Sequence, residues 1–110
     1  MAARNVAKMF GGKALKGTAR QKEWAEKIRA AKITCMSEKN AIMACDPTGL
    51  MVSAKFWIEN RDKDARAIGE FVEKQKALLA ACRAAKKERN AEELARIAPI
   101  YNALTAQWGF

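Results

Sequence analysis

Histidine is absent from this sequence of 110 residues. Histidine is the commonest general base, the commonest metal ligand and the usual pH switch of proteins. This protein therefore has no histidine to serve as a general base, as a metal ligand or as a pH switch. We also find no pair of carboxylates and no nucleophile with a base that would indicate a catalytic site. The sequence therefore predicts a protein that is not an enzyme.

Cysteine is scarce, with Cys35, Cys45 and Cys82 as its only occurrences. An odd count without a Cys-x-x-Cys spacing argues against a zinc site and against a disulfide framework. Each cysteine lies in an apolar context, which predicts buried free thiols in a reducing cytoplasm. The Gly-Gly-Lys segment at 11–13 lacks the preceding strand and the Gly-Lys-Ser/Thr ending of a phosphate-binding loop. We therefore expect no metal ion and no cofactor.

Long apolar runs are missing as well. No run approaches the 18 residues that indicate a membrane span, and residues 1–16 lack the continuous apolar segment of an export signal. These two absences predict a cytoplasmic protein that does not enter a membrane.

Proline occurs only at Pro47 and Pro99, β-branched residues are few, and alanine is frequent. This balance favours helix over sheet, and the length suits one domain with a modest core. Residues 1–17 carry four basic residues, three glycines and no acid. We predict an all-α fold, a compact bundle of four to five helices, with residues 1–17 as a flexible basic arm and residues 18–110 as a single helical domain.

Capping residues and apolar spacing set the predicted helix boundaries. Thr18 and Gln21 have the spacing of a capping box. Ser37, Asp62 and Asn90 are the N-caps predicted for later helices. The sequence predicts a turn over 46–49 and helices over about 19–32, 37–45, 50–60, 63–88 and 91–106.

Tryptophan occurs three times, each time on a predicted apolar face. Trp24, Ile28 and Ala31 recur at helical spacing in the first long helix. Trp57 and Trp108 belong to the apolar stripes of later helices. We therefore predict that all three tryptophans pack in the core and do not stack on nucleic-acid bases.

Positive charge is the most pronounced feature that the sequence does contain. Twenty-one basic and 12 acidic residues give a formal net charge of +9, which indicates a polyanionic partner or an acidic protein surface. The excess is concentrated in residues 1–45 and 65–89, and the sequence leaves open whether these two groups meet in space. The residues predicted to contact a partner or nucleic acid are Lys13, Lys16, Arg20, Lys22, Lys27, Arg29, Arg61, Arg83, Lys86, Lys87 and Arg89.

Two groups among these candidates have alternative interpretations. Arg83, Lys86, Lys87 and Arg89 close the longest predicted helix, where they either contact phosphates independently of sequence or form a solvated helix end. Arg61 either holds a helix end or an internal carboxylate, or presents its planar fork to a phosphate or a partner carboxylate.

Two segments together resemble a small module of phage and bacterial mobile-element proteins. They are Gly17-Thr18-x-x-Gln21-x-x-Trp24-Ala25-x-x-Ile28-Arg29 and Phe56-Trp57-Ile58-x-Asn60-Arg61. Small proteins of such elements are often antagonists of host defence, anti-CRISPR proteins among them, or accessories of DNA metabolism. The resemblance therefore implies the cytoplasm of a bacterial host cell as the place of action.

Charge and resemblance together leave two hypotheses for function. The first is a non-enzymatic inhibitor, of the anti-CRISPR kind, that binds a protein complex which handles nucleic acid. The alternative is a protein that binds DNA or RNA directly and independently of sequence through its basic helix faces. The apolar spacing from Leu94 to Trp108 fits either a monomer or a homodimer.

Overall fold

The computed structural model describes residues 3–46 and 50–109, and these residues are all-α as predicted. They contain six α-helices, compared with the four to five predicted, together with one short 3₁₀ turn. The elements are α1 (Ala3–Met9), α2 (Ala19–Ile33), α3 (Glu38–Ala44), the 3₁₀ turn (Leu50–Val52), α4 (Ala54–Glu59), α5 (Ala65–Lys87) and α6 (Ala91–Gln107).

Local capping fixes the start of α2 as the sequence predicts. The Thr18 hydroxyl accepts the Gln21 backbone N–H at 3.2 Å, and the Gln21 side-chain oxygen accepts the Thr18 N–H at 3.0 Å. This reciprocal pair satisfies two backbone donors at the helix start. Ser37 and Asn90 cap α3 and α6 in the predicted way.

The start of α5 differs from the prediction. Asp64 is the N-cap instead of Asp62, and its carboxylate accepts the Ala67 N–H at 2.8 Å. The predicted helix over 50–60 is also divided, into the 3₁₀ turn and α4. The turn predicted at 46–49 falls mostly outside the described residues, which include only Asp46 of that segment.

The N-terminal segment is built into the fold, so the predicted flexible arm is not confirmed. Helix α1 packs against α2 and buries Ala7, and Leu15 is buried in the loop that follows. The Lys16 N–H donates to the Val52 carbonyl at 2.8 Å, and the Ala54 N–H donates to the Lys16 carbonyl at 2.9 Å. These two bonds join the loop to the start of α4 and hold the segment in place.

An aromatic cluster joins α4, α5 and the end of α6. Phe56 and Phe71 stack at 5.8 Å between ring centroids, and Trp108 stacks on Phe71 at 4.6 Å. Trp57 is fully buried, and its indole N–H donates to the Met51 carbonyl at 2.7 Å. The core prediction is therefore confirmed for Trp57, and Trp108 packs against the core while partly buried.

The molecule is elongated, measuring 47 × 23 × 23 Å along its principal axes. Its hydrophobic core lies at one end, among α1 to α4 and the first half of α5. The second half of α5 and most of α6 form a helical hairpin that buries few side chains, Ala85 and Ile97 among them. Within residues 3–46 and 50–109, no helix is both long enough and apolar enough to cross a bilayer.

The turn of this hairpin is a tight helix ending. The Asn90 N–H donates to the Ala85 carbonyl at 2.8 Å, and the Arg89 N–H donates to the Lys86 carbonyl at 3.1 Å. This pair of bonds defines a Schellman motif, in which the residue after the helix usually is glycine. Here that residue is Arg89, which adopts the left-handed conformation with φ of 55°.

Candidate functional site

Trp24 is half exposed on the surface of α2, so the prediction that it packs in the core is wrong. Its side chain has 48% relative exposure, whereas the buried face of α2 consists of Ala25, Glu26, Arg29 and Ile33. The apolar spacing of the sequence selected the opposite face of the helix. The reason is that Glu26 and Arg29 form an ion pair inside the protein and occupy positions of the buried face that periodicity reserves for apolar residues.

That internal pair is Glu26 and Arg29. Arg29 Nη2 lies 2.7 Å from both carboxylate oxygens of Glu26 and also donates to the Lys13 carbonyl at 3.0 Å. The Leu15 N–H donates to Glu26 at 3.3 Å. Arg29 is only 1% exposed, so its predicted contact with a partner is wrong. Its role is to hold the loop that carries Lys13 and Lys16.

The surroundings of this pair keep a thiol protonated. Burial raises the pKa of Cys45, and the charge of Glu26 adds to this effect while Arg29 and Arg4 oppose it. Arg4 Nη1 and Arg29 Nε are buried without a hydrogen-bond partner among the described residues. A protonated buried thiol is a weak nucleophile. The predicted burial holds for Cys45, whereas Cys35 is exposed and Cys82 is partly buried.

The exposed indole of Trp24 carries a cation on one ring face. The Arg61 guanidinium carbon lies over the ring, 5.2 Å from its centroid. Arg61 Nη1 also donates to the Ile58 carbonyl at 2.7 Å, at the end of α4. Arg61 thus holds a helix end, one of the two roles predicted for it, and this bond fixes the guanidinium plane against Trp24.

Two further cations flank Trp24 along α2. Arg20 and Lys27 are both exposed, and the helical repeat of 100° per residue places them about 40° and 60° from Trp24 around the axis. Lys27 has an exposed partner in Glu23 at 3.9 Å, a contact too open to neutralise it firmly. We call Arg20, Trp24, Lys27 and Arg61 the Trp24 surface.

The remaining candidates near α2 lie apart from Trp24. Lys22 is exposed, but the same repeat places it about 160° from Trp24 around the axis of α2. Lys13 and Lys16 are exposed in the loop between α1 and α2. The structure therefore distributes the cations of residues 13–29 over several faces.

The second group of predicted cations forms the tip of the hairpin. All four side chains are exposed, and none makes an ion pair with another described residue. Lys86 and Arg89 line an open groove of about 250 Å³, with an apolar floor that includes Ala85 and Leu94. We call this group the basic tip, consisting of Arg83, Lys86, Lys87 and Arg89.

The Trp24 surface and the basic tip are separate. Lys32, near the end of α2, donates to the Lys63 carbonyl just before α5 begins. Helix α5 rises by about 27 Å between Ala65 and Arg83, the first residue of the tip. The sequence left open whether the cations form one patch or two, and the structure gives two, near opposite ends of the long axis.

An apolar ridge lies on the side of the hairpin. Ile100 is 49% exposed, and Ile100 and Leu104 together separate two open grooves of about 360 and 460 Å³. Lys74 is the one charged residue that lines either groove among the residues described. We call Ile100 and Leu104 the hairpin ridge.

The described part of the chain contains no group of three or more cysteine, aspartate or glutamate residues placed to hold a metal ion. Comparison of the sequence with models of protein families and with curated proteins gives no match. The two basic surfaces and the hairpin ridge are therefore the features of the described residues that bear on function. Of these features, sequence reasoning missed the exposure of Trp24 and its contact with Arg61.

Proposed function

We propose that this protein is a non-enzymatic binding protein that contacts the backbone of DNA or RNA independently of base sequence. The observation that carries the proposal is the basic tip, where four exposed cations that pair with no described carboxylate project at the end of a helical hairpin. Unpaired cations grouped in this way neutralise phosphates and release counterions, which is the main source of sequence-independent affinity.

The charge of the whole chain supports the same proposal. The formal net charge of +9 raises the rate at which any polyanion is captured. Lys13, Lys16, Arg20 and Lys22 are also exposed and make no ion pair with a described residue. The free thiols favour the reducing cytoplasm, in a bacterial host cell, as the compartment that we propose.

A salt titration on a plain 20-base-pair duplex tests this function. Reversing Lys86, Lys87 and Arg89 to glutamate should weaken binding at low salt and reduce the slope of log affinity against log salt by about 2 to 3. The matched control reverses Lys8, Lys39 and Lys74, which are exposed elsewhere and also pair with no described carboxylate, and it should weaken binding much less. Failure of the wild-type protein to bind below about 10 µM at low salt would overturn the proposal.

A second candidate function is an inhibitor that binds a nucleic-acid-handling protein complex, as an anti-CRISPR protein of a mobile element does. The hairpin ridge favours it, because an exposed apolar ridge with Lys74 beside it suits a protein surface that has an apolar centre and an acidic rim. The resemblance of the segments around Trp24 and Trp57 to phage proteins favours it as well.

Binding to purified CRISPR effector complexes tests this second candidate. Ile100→Asp should abolish capture of the effector and the inhibition of DNA cleavage. The matched control is Ile42→Asp, because Ile42 on α3 is as exposed as Ile100, at 49%. Capture of nothing but nucleic acid, or equal loss in both variants, would count against an inhibitor that uses the hairpin ridge.

A further inference from the structure

Trp24 differs from the other two tryptophans in having no place in the core. Trp57 is fully buried and Trp108 stacks on Phe71, whereas Trp24 leaves about half of its surface in water. A half-exposed tryptophan presents a large, rigid aromatic surface with a polar indole N–H, a combination that is enriched at binding interfaces. The contact with Arg61 covers only one face of the ring.

The exposed Arg61 guanidinium covers one face of the Trp24 indole and is itself a second group on which a base can stack. It lies over the indole and is oriented by its bond to the Ile58 carbonyl. Nucleic-acid bases stack on both aromatic rings and arginine planes. Because the plane is already held in the unbound protein, binding a base there requires little ordering of this side chain.

Two exposed cations lie near Trp24 on the same helix, where they can contact the phosphates on either side of a stacked base. Arg20 and Lys27 lie on either side of Trp24 along α2, separated by about 10 Å of helix. An aromatic side chain between cations is the arrangement by which proteins bind single strands without reading their sequence. In a duplex the bases are already stacked and paired, so this surface would meet only phosphates there.

We infer that the Trp24 surface is a base-stacking platform for single-stranded nucleic acid. The inference rests on the proposed nucleic-acid binding and specifies its substrate: the protein prefers single strands to duplex. Trp24 and the Arg61 guanidinium over it stack unpaired bases, and Arg20 and Lys27 contact the flanking phosphates. The basic tip contributes affinity to either form of nucleic acid.

Fluorescence anisotropy with a labelled thymidine 20-mer and a duplex of equal length tests the platform. Trp24→Ala should weaken binding to the 20-mer by about 5- to 150-fold and change duplex binding less than about twofold. Trp24→Phe should retain most of the affinity because a phenyl ring still stacks. Arg61→Ala should weaken single-strand binding more than its charge-matched control Arg66→Ala, which removes an exposed arginine of α5.

The binding measurements distinguish a failure of the proposed nucleic-acid binding from a failure of the base-stacking platform. A wild-type protein that binds neither nucleic acid overturns the proposed function and the platform with it. A wild-type protein that binds both equally, with Trp24→Ala losing the same factor on each, overturns the platform alone. Thermal unfolding of each variant establishes folding, and Trp24→Phe keeps the test valid if the alanine variant is unstable.

Discussion

The two ends of this molecule carry positive charge in different ways. At the packed end, formed by α1 to α4 and the first half of α5, the cations stand on helices that share one hydrophobic core. At the hairpin end, the basic tip stands on two helices that bury little between them, mainly Ala85 and Ile97. The packed end can therefore hold a shaped site such as the Trp24 surface, whereas the tip offers charge with little fixed geometry.

The two ends should therefore contribute differently to binding: the packed end positions a bound strand, and the basic tip attracts any polyanion. The plane of Arg61 is fixed by Ile58 and Trp24, so changes there should alter which nucleic acid is preferred. The cations of the tip are solvated and unpaired within the described residues, so changes there should alter affinity and salt dependence for every polyanion alike. The predictions that follow test each end, beginning with the largest expected effect.

Breaking the internal ion pair between Glu26 and Arg29 should destabilise the protein more than any other change proposed. Glu26→Gln leaves the buried Arg29 without its counter-charge and should lower the free energy of unfolding by about 3–5 kcal/mol, measured by urea denaturation. The control is Glu23→Gln on the same helix, whose pair with Lys27 is exposed and should contribute less than about 1 kcal/mol. Equal effects of the two substitutions would mean that the internal pair does not hold the loop.

Replacing Gln75 should stabilise the junction between the two ends. Gln75 is 0% exposed, and neither amide atom has a hydrogen-bond partner among the described residues. Gln75→Met keeps the volume and removes this unsatisfied pair, so the free energy of unfolding should rise by about 1–2 kcal/mol. Gln107→Met on the exposed surface of α6 is the control and should change stability by less than about 0.5 kcal/mol. A loss of stability in Gln75→Met would contradict this account.

Replacing Arg89 with glycine should have a smaller effect, which raises the stability of the fold and lowers the affinity for duplex. Arg89→Gly removes a side chain from a residue with φ of 55° and should raise the free energy of unfolding by about 0.5–1 kcal/mol. The same change removes a cation from the basic tip and should weaken duplex binding several-fold. Arg89→Lys retains both charge and backbone conformation, so it should resemble the wild-type protein in both measurements. Tighter duplex binding by Arg89→Gly would show that the tip is not a phosphate-binding surface.

Features that depend on neighbouring residues could be predicted from the sequence. The capping box of Thr18 and Gln21, the N-caps Ser37 and Asn90 and the approximate ends of α5 and α6 all follow from contacts within about one helical turn. The basic tip was predictable for the same reason, because its four cations lie within one continuous stretch of the chain.

Features that depend on distant contacts could not be predicted. The buried face of α2 depends on Glu26 and Arg29 bonding to Lys13 and Leu15, and periodicity treats both charged residues as exposed. The apolar signal of α1 is weak, since its buried residue is the small Ala7. The contact of Arg61 with Trp24 joins the turn after α4 to α2, which is far away in sequence, so no local pattern reveals it.

The central claim is that Trp24 recognises bases, and an oligomer of abasic deoxyribose phosphate tests it most directly. This oligomer has the same charge as a thymidine 20-mer but no bases to stack. The wild-type protein should bind it about 5- to 150-fold more weakly than the thymidine 20-mer, whereas Trp24→Ala should bind the two oligomers with nearly equal affinity. If the wild-type protein binds both oligomers equally, or if Trp24→Ala discriminates between them as strongly as the wild-type protein does, Trp24 is not a base-stacking residue.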